Sequence, residues 1–284
     1  MTENRGDSVN LFELYEKLTS DETILSIEKI NTAINNLARF GEKVVAGYIA
    51  FDNWWQTVFP KIYEAITNID LPEYTAEKKK ELVECYTKWG RYGWTFNGQT
   101  KLTTLSSLPL SLEDADQRMS QYCTVDNVSE IARKLVENGT NQSDVEEALF
   151  CFENGKYKSS AIILFALIDH ELISKGFRHK PKENELEGKY KIGLSAVCEY
   201  RKQNKKAYNK SFLYANLYFM NIMETLMTLF QDSENFTNEP KMINRNFVAH
   251  GMSNRAVTEI DCFKVWSALY SLVVMLPLLE ELKP

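Results

Sequence analysis

The stretch Ser143–Gly176, SDVEEALFCFENGKYKSSAIILFALIDHELISKG, carries the fold. Ser143-Asp144-Val145-Glu146 has the form of a capping box, in which the serine oxygen accepts from a first-turn amide and the glutamate reaches back. Asn154-Gly155 supplies a stop, because glycine tolerates the left-handed conformation that closes a helix. A second helix is expected over about 156–175, ended by Gly176. Its centre, Ala161–Ile168, is eight consecutive apolar residues, which predicts burial on all sides.

Helical signals continue on both sides of this hairpin. Upstream, Ile24, Ile27, Ile30, Ile34, Leu37 and Phe40 recur at helical spacing after the Ser20-Asp21-Glu22 turn. Val44–Ile66, bent or broken at Pro60, and Tyr74–Trp89 are further candidates. Gly90, Gly93 and Gly98 break the pattern, and Thr100–Ser111 reads as an irregular connector with a short extended segment. Ser111 and Asp114 form an N-terminal cap, and short helices follow near 111–119 and 126–137. Downstream, the basic stretch 177–206 reads as a gap between helices. A long helix is expected over about 207–231, a short one from Pro240 to Gly251, and a last one over about 259–282. No strand pattern and no internal repeat is visible. The fold class is all-α, a helical N-terminal region over 1–140 followed by a helical domain over 141–284, divided at Asn138-Gly139-Thr140-Asn141.

Composition narrows the function. The 284 residues are 44% hydrophobic and 25% charged, the balance of a soluble globular protein. The five cysteines are odd in number and scattered, with no Cys-x-x-Cys, which suits a reducing cytosol better than a disulfide framework. The N-terminus MTENRGDSVN has no apolar h-region, and Val265–Leu279 falls short of the roughly 20 residues a membrane span needs. A cytoplasmic chain with no membrane association is expected.

The net charge of −6 argues against constitutive nucleic-acid binding, yet Lys175–Lys210 holds eleven Lys and Arg against four Glu. Two readings stand for that segment, a confined phosphate-binding surface and a solvated linker. Within it, Arg201, Lys202, Lys205 and Lys206 are candidate RNA contacts. Trp54 and Trp55 are adjacent and cannot both face one core, so an interface or a stacked base is the alternative to packing for one of them.

Motifs for a nucleophile elbow, a phosphate-binding loop, a dinucleotide fingerprint or a zinc hydrolase do not occur. Among three histidines, His170, His179 and His250, the last lies in Asn244-Arg245-Asn246-Phe247-Val248-Ala249-His250-Gly251. Arginine neutralises phosphate charge with a fork of donors, and histidine moves protons near neutrality. Together they suit RNA cleavage without a metal. Five residues of regular helix turn through about 500°, which sets the two side chains roughly 140° apart. They converge either if Arg245 reaches around from a frayed helix start or if two copies pair across an axis. The plainer reading is that both residues cap and pad a helix turn.

Arg245-Asn-x-x-x-His250-Gly251, placed between two long helices, resembles the HEPN superfamily (higher eukaryotes and prokaryotes nucleotide-binding). The hairpin Glu146–Tyr157 with Ser160–Asp169 is similar to that family's opening helix pair, and the resemblance covers about 141–284. It implies a HEPN-like helical bundle with a metal-independent endoribonuclease site, no cofactor, and a homodimer that completes the site. By position it makes Arg245 and His250 catalytic, Asn246 the polar residue beside the arginine, and Asp169 a supporting group on the second helix of the opening pair. For Asp169, a purely structural pairing with a basic residue is the alternative. The resemblance further implies RNA as substrate, a place in phage defence by abortive infection or as a toxin, and an antitoxin or phage-derived trigger as partner. Some HEPN toxins carry a tyrosine two residues after the histidine; here Met252 stands there. A non-catalytic nucleotide- or protein-binding scaffold is the second function implied.

Overall fold

The computed structural model describes residues 75–174, 193–208 and 213–281, apart from 99, 101 and 106. All belong to one compact unit, Tyr74–Pro284. The helices expected over Ile24–Phe40 and Val44–Ile66, the Trp54-Trp55 pair, His179 and the basic residues of 175–192 lie outside the described residues.

Helix α1 (Ala76–Arg91) is capped by Thr75, whose hydroxyl accepts from the amide of Lys78. A four-residue turn, α2 (Leu102–Leu105), stands where an extended segment was expected. Then come α3 (Leu112–Ser120), capped by Ser111 as its sequence indicates, and α4 (Val125–Glu137). The Asn138-Gly139 turn joins α4 to α5 (Gln142–Glu153), and α6 (Tyr157–Ser174) completes the hairpin. Helices α7 (Leu194–Tyr208), α8 (Leu213–Leu229), α9 (Arg245–Ala249), α10 (Glu259–Tyr270) and α11 (Leu276–Glu281) follow. The described residues are all-α, with no strand among them, and none of their helices is long and apolar enough to cross a membrane.

The core is continuous from Cys85 to Leu279, so residues on both sides of position 140 share it. Helix α1 lies against α8, α5 against α6, and α6 in turn against α10 and α9. The approach of α1 to α8 is close: a Cβ at Gly90 would fall 2.7 Å from both the Asn221 carbonyl oxygen and Glu224 Cβ. Buried Asn221 ties the two together, donating to the carbonyls of Tyr86 (2.9 Å) and Trp94 (3.0 Å). Trp89 and Trp94 are fully buried.

Local chemistry shifts several boundaries. Helix α5 takes Asn141 as its cap, its Oδ1 accepting from the Asp144 amide at 3.2 Å, so the helix starts one residue before Ser143. Helix α6 is not buried all round. Leu164, Phe165, Ile168 and Leu172 enter the core, whereas Ile162 and Ala166 are exposed on the side its neighbours leave uncovered. Helix α7 occupies part of the stretch read as a gap, because Ala196, Val197 and Tyr200 form a narrow buried face hidden among lysines. The long helix expected over 207–231 is confined to α8. The last helix is interrupted by a π turn, Ser271–Met275, just before Pro277, which has no amide hydrogen to give to the preceding turn.

Candidate active site

The motif helix α9 is five residues long and is fixed at both ends by its own sequence. At its start Asn244 adopts extended backbone, and its Oδ1 accepts from the amides of Asn246 (2.9 Å) and Phe247 (3.3 Å). This cap, rather than Pro240, sets the helix start. The other end of the Asn244 side chain donates to the Gln231 carbonyl at 2.9 Å, and Asn246 Nδ2 donates to the same oxygen at 3.2 Å.

At its end Gly251 takes the left-handed conformation (φ 69°). The amide of Met252 donates to the Phe247 carbonyl (2.8 Å) and that of Gly251 to Val248 (3.3 Å), a Schellman closure. His250 is the C-cap. The loop beyond it is held by Glu239, whose carboxylate accepts from the Ser253 hydroxyl (2.5 Å) and the Asn254 amide (2.8 Å). Arg255 then clamps Asp261 through two nitrogens, at 2.6 and 3.0 Å. Burial alone would raise the Asp261 carboxyl pKa; the bonds from Arg255 and Thr258 outweigh it and hold the group below the usual carboxylate range.

Arg245, the first residue of α9, reaches α6. Its Nη2 and Nε both donate to Asp169 Oδ2, at 2.8 and 3.2 Å, and its Nη1 donates to Asn246 Oδ1 at 3.3 Å. The two side chains are 27% and 15% exposed, so the ion pair is largely desolvated. Among the described residues, buried Asp169 Oδ1 has no hydrogen-bond partner. Arg245 and Asn246 line a cleft of about 260 Å³ with Asp232, Phe230 and the residues Gly193, Leu194 and Ser195 at the start of α7.

Three of the four motif-linked residues are therefore brought together: Asp169, Arg245 and Asn246. His250 is not joined to them by any hydrogen bond. Its side chain is exposed, and its ring stands edge-on to Phe236, centroids 5.6 Å apart and planes at 70°. Of the four basic residues on α7, Lys202, Lys205 and Lys206 are exposed, whereas Arg201 turns inward to Glu224 (2.7 Å), which also faces Arg91 at 3.7 Å. Among the described residues, no three His, Cys, Asp or Glu side chains gather as a metal-holding group.

Phe236 and Asp232 had escaped the sequence. They sit in a glycine-free turn of ordinary composition that gives no periodic signal. The cap by Asn244 was in principle legible, because asparagine immediately before a helix is a strong start signal. No protein-family model, no curated protein and no solved structure matches this chain.

Proposed function

We propose that the chain is a metal-independent endoribonuclease of HEPN type. The observation that carries the reading is a short helix presenting an anchored guanidinium at one end and an exposed imidazole at the other. Anchoring matters because a phosphate-stabilising donor acts without reorganisation only if it is already aimed. Asp169 supplies that anchor, and Asn246 flanks it beside the cleft. In the reaction, the 2′-hydroxyl of RNA loses its proton to a base and attacks the adjacent phosphorus. The 5′-oxygen leaves with a proton, giving a 2′,3′-cyclic phosphate and a 5′-hydroxyl end. His250 acts as general base or acid, and Arg245 stabilises the charge on the pentacoordinate phosphorus. Lys202, Lys205 and Lys206 hold flanking phosphates. Two copies complete the site, and the cellular role is phage defence or toxicity in the cytoplasm.

A specific observation favours a second reading, a nucleotide- or protein-binding scaffold without catalysis: Arg245 is already neutralised by Asp169 and has no contact with His250. The two are separated by expressing wild type, Arg245→Ala and His250→Ala in a bacterial host and mapping new 5′-hydroxyl RNA ends. Ends made only by wild type, and made by the purified protein in EDTA, support the ribonuclease. Equal ends from all three folded proteins sink it in favour of the scaffold.

A further inference from the structure

We propose that Phe236 is a positioning residue that fixes the imidazole plane of His250 for proton transfer, an inference that rests on the ribonuclease reading above. His250 lies at the exposed end of α9, and its ring makes no hydrogen bond among the described residues. An imidazole with nothing to hold it samples several rotamers, whereas a general acid or base must sit within hydrogen-bond reach of its proton. Phe236 is what touches it. The phenyl ring meets His250 on one side (5.6 Å, 70°) and buried Phe247 on the other (5.3 Å, 79°), both edge-to-face. It thus spans the motif helix from its core-facing residue to its C-cap.

The backbone that carries Phe236 argues that this placement is built. Glu234, Asn235 and Phe236 all have positive φ, 45°, 57° and 61°, and none is glycine. Asparagine tolerates the left-handed region; glutamate and phenylalanine do so at a steric penalty. Four hydrogen bonds hold the turn. Asp232 Oδ1 accepts from the Glu234 amide (3.0 Å), Ser233 O from the Phe236 amide (2.7 Å), and Glu234 O from the amide and hydroxyl of Thr237 (3.3 and 2.8 Å). A strained, glycine-free turn persists only where its surroundings over-determine it, and such turns gather at functional sites. Here the turn delivers one aromatic ring to one histidine.

The test uses the full chain and two readouts. His250 ring-proton resonances, assigned by their loss in His250→Ala, carry a ring-current displacement from Phe236 that is measured without RNA. Phe236→Leu abolishes that displacement and lowers kcat about ten- to a hundredfold with KM within about twofold; Phe236→Tyr restores both. Asn235→Pro, which forces φ to about −65° and leaves the ring in the sequence, reproduces the Phe236→Leu result. Unchanged His250 resonances in Phe236→Leu overturn the proposal, as does an unchanged kcat with the displacement gone. A wild type that cleaves no RNA refutes the ribonuclease reading separately, while the resonances still decide whether Phe236 holds the ring.

Discussion

Replacing Asp169 and Arg245 by alanine, singly and together, reads the energy of the contact on which the site rests. Two charge-assisted hydrogen bonds converge on Asp169 Oδ2, at 2.8 and 3.2 Å, and both side chains are less than a third exposed. Bonds to charged groups contribute about 1.5–3 kcal/mol, less than the 3–5 kcal/mol of breaking a fully buried pair. The two single losses are unequal. Arg245→Ala strands a carboxylate that is only 15% exposed and already has one unpartnered oxygen. Asp169→Ala strands a guanidinium that is 27% exposed and still donates to Asn246. We expect about 3 kcal/mol for Arg245→Ala and about 2 kcal/mol for Asp169→Ala. The double variant should lose less than their sum, leaving a coupling energy of about 1.5–3 kcal/mol. Urea denaturation gives all three values, with Tm falling by roughly 2–4 °C per kcal/mol for a unit of this size. Losses that add to within about 0.5 kcal/mol show that the two groups do not hold each other. In that case Asp169 does not aim the guanidinium.

Three further outcomes are expected. Buried Lys264 is held by Asp116 at 2.6 Å, and Asp116 also accepts from Trp94 Nε1 at 2.7 Å. Asp116→Asn, which removes the carboxylate bonded to the ammonium, should cost about 3 kcal/mol in urea denaturation, and Lys264→Met clearly less, because Asp116 keeps Trp94 and part of its solvent; equal losses refute this. The folded Asp261 carboxyl lies below its unfolded value of about 4, so its contribution to stability is present above that pH and disappears as pH falls through the folded value. The Tm gap between wild type and Asp261→Asn should therefore close as pH is lowered from 6 towards the acid limit, and a gap that widens contradicts the assignment. Finally, equimolar Arg245→Ala and His250→Ala chains, unfolded and refolded together, should recover about a quarter of wild-type cleavage if each site takes one residue from each copy; no recovery means the site lies within one chain.

Helix-forming residues made the all-α class legible, because apolar spacing and capping side chains act over one or two turns. The short-range signals at Ser111 and Gly251 operate in the structure as their chemistry requires. Asp169 could be singled out as a carboxylate on an apolar helix, which needs a partner, and its partner proves to be Arg245. The structural pairing, one of the two alternatives the sequence left open, is present, and the supporting role belongs to the proposed function. What stayed hidden depends on distant partners or on backbone conformation. The inward turn of Arg201 follows from Glu224 on α8, which no spacing within α7 announces. Likewise, the left-handed run at Glu234–Phe236 contains no glycine, the residue by which such a conformation is ordinarily recognised.

The length of α9 constrains how the site can operate. Arg245 begins it and His250 caps it, and a regular helix turns through about 500° between them, leaving the side chains roughly 140° apart. Their contacts follow that divergence: Arg245 goes to α6 and His250 to the turn carrying Phe236. If the proposed reaction took place within a single copy by drawing the guanidinium towards His250, it would strand a largely buried carboxylate. The second copy proposed above would remove that penalty. Arg245 of one chain can stay anchored while its remaining N–H groups face a phosphate in the cleft, and His250 of the other approaches from the opposite side. Under the proposed function, the ion pair that neutralises Arg245 is also what keeps it aimed, and a strong pair favours a site shared between two chains over one within a single chain.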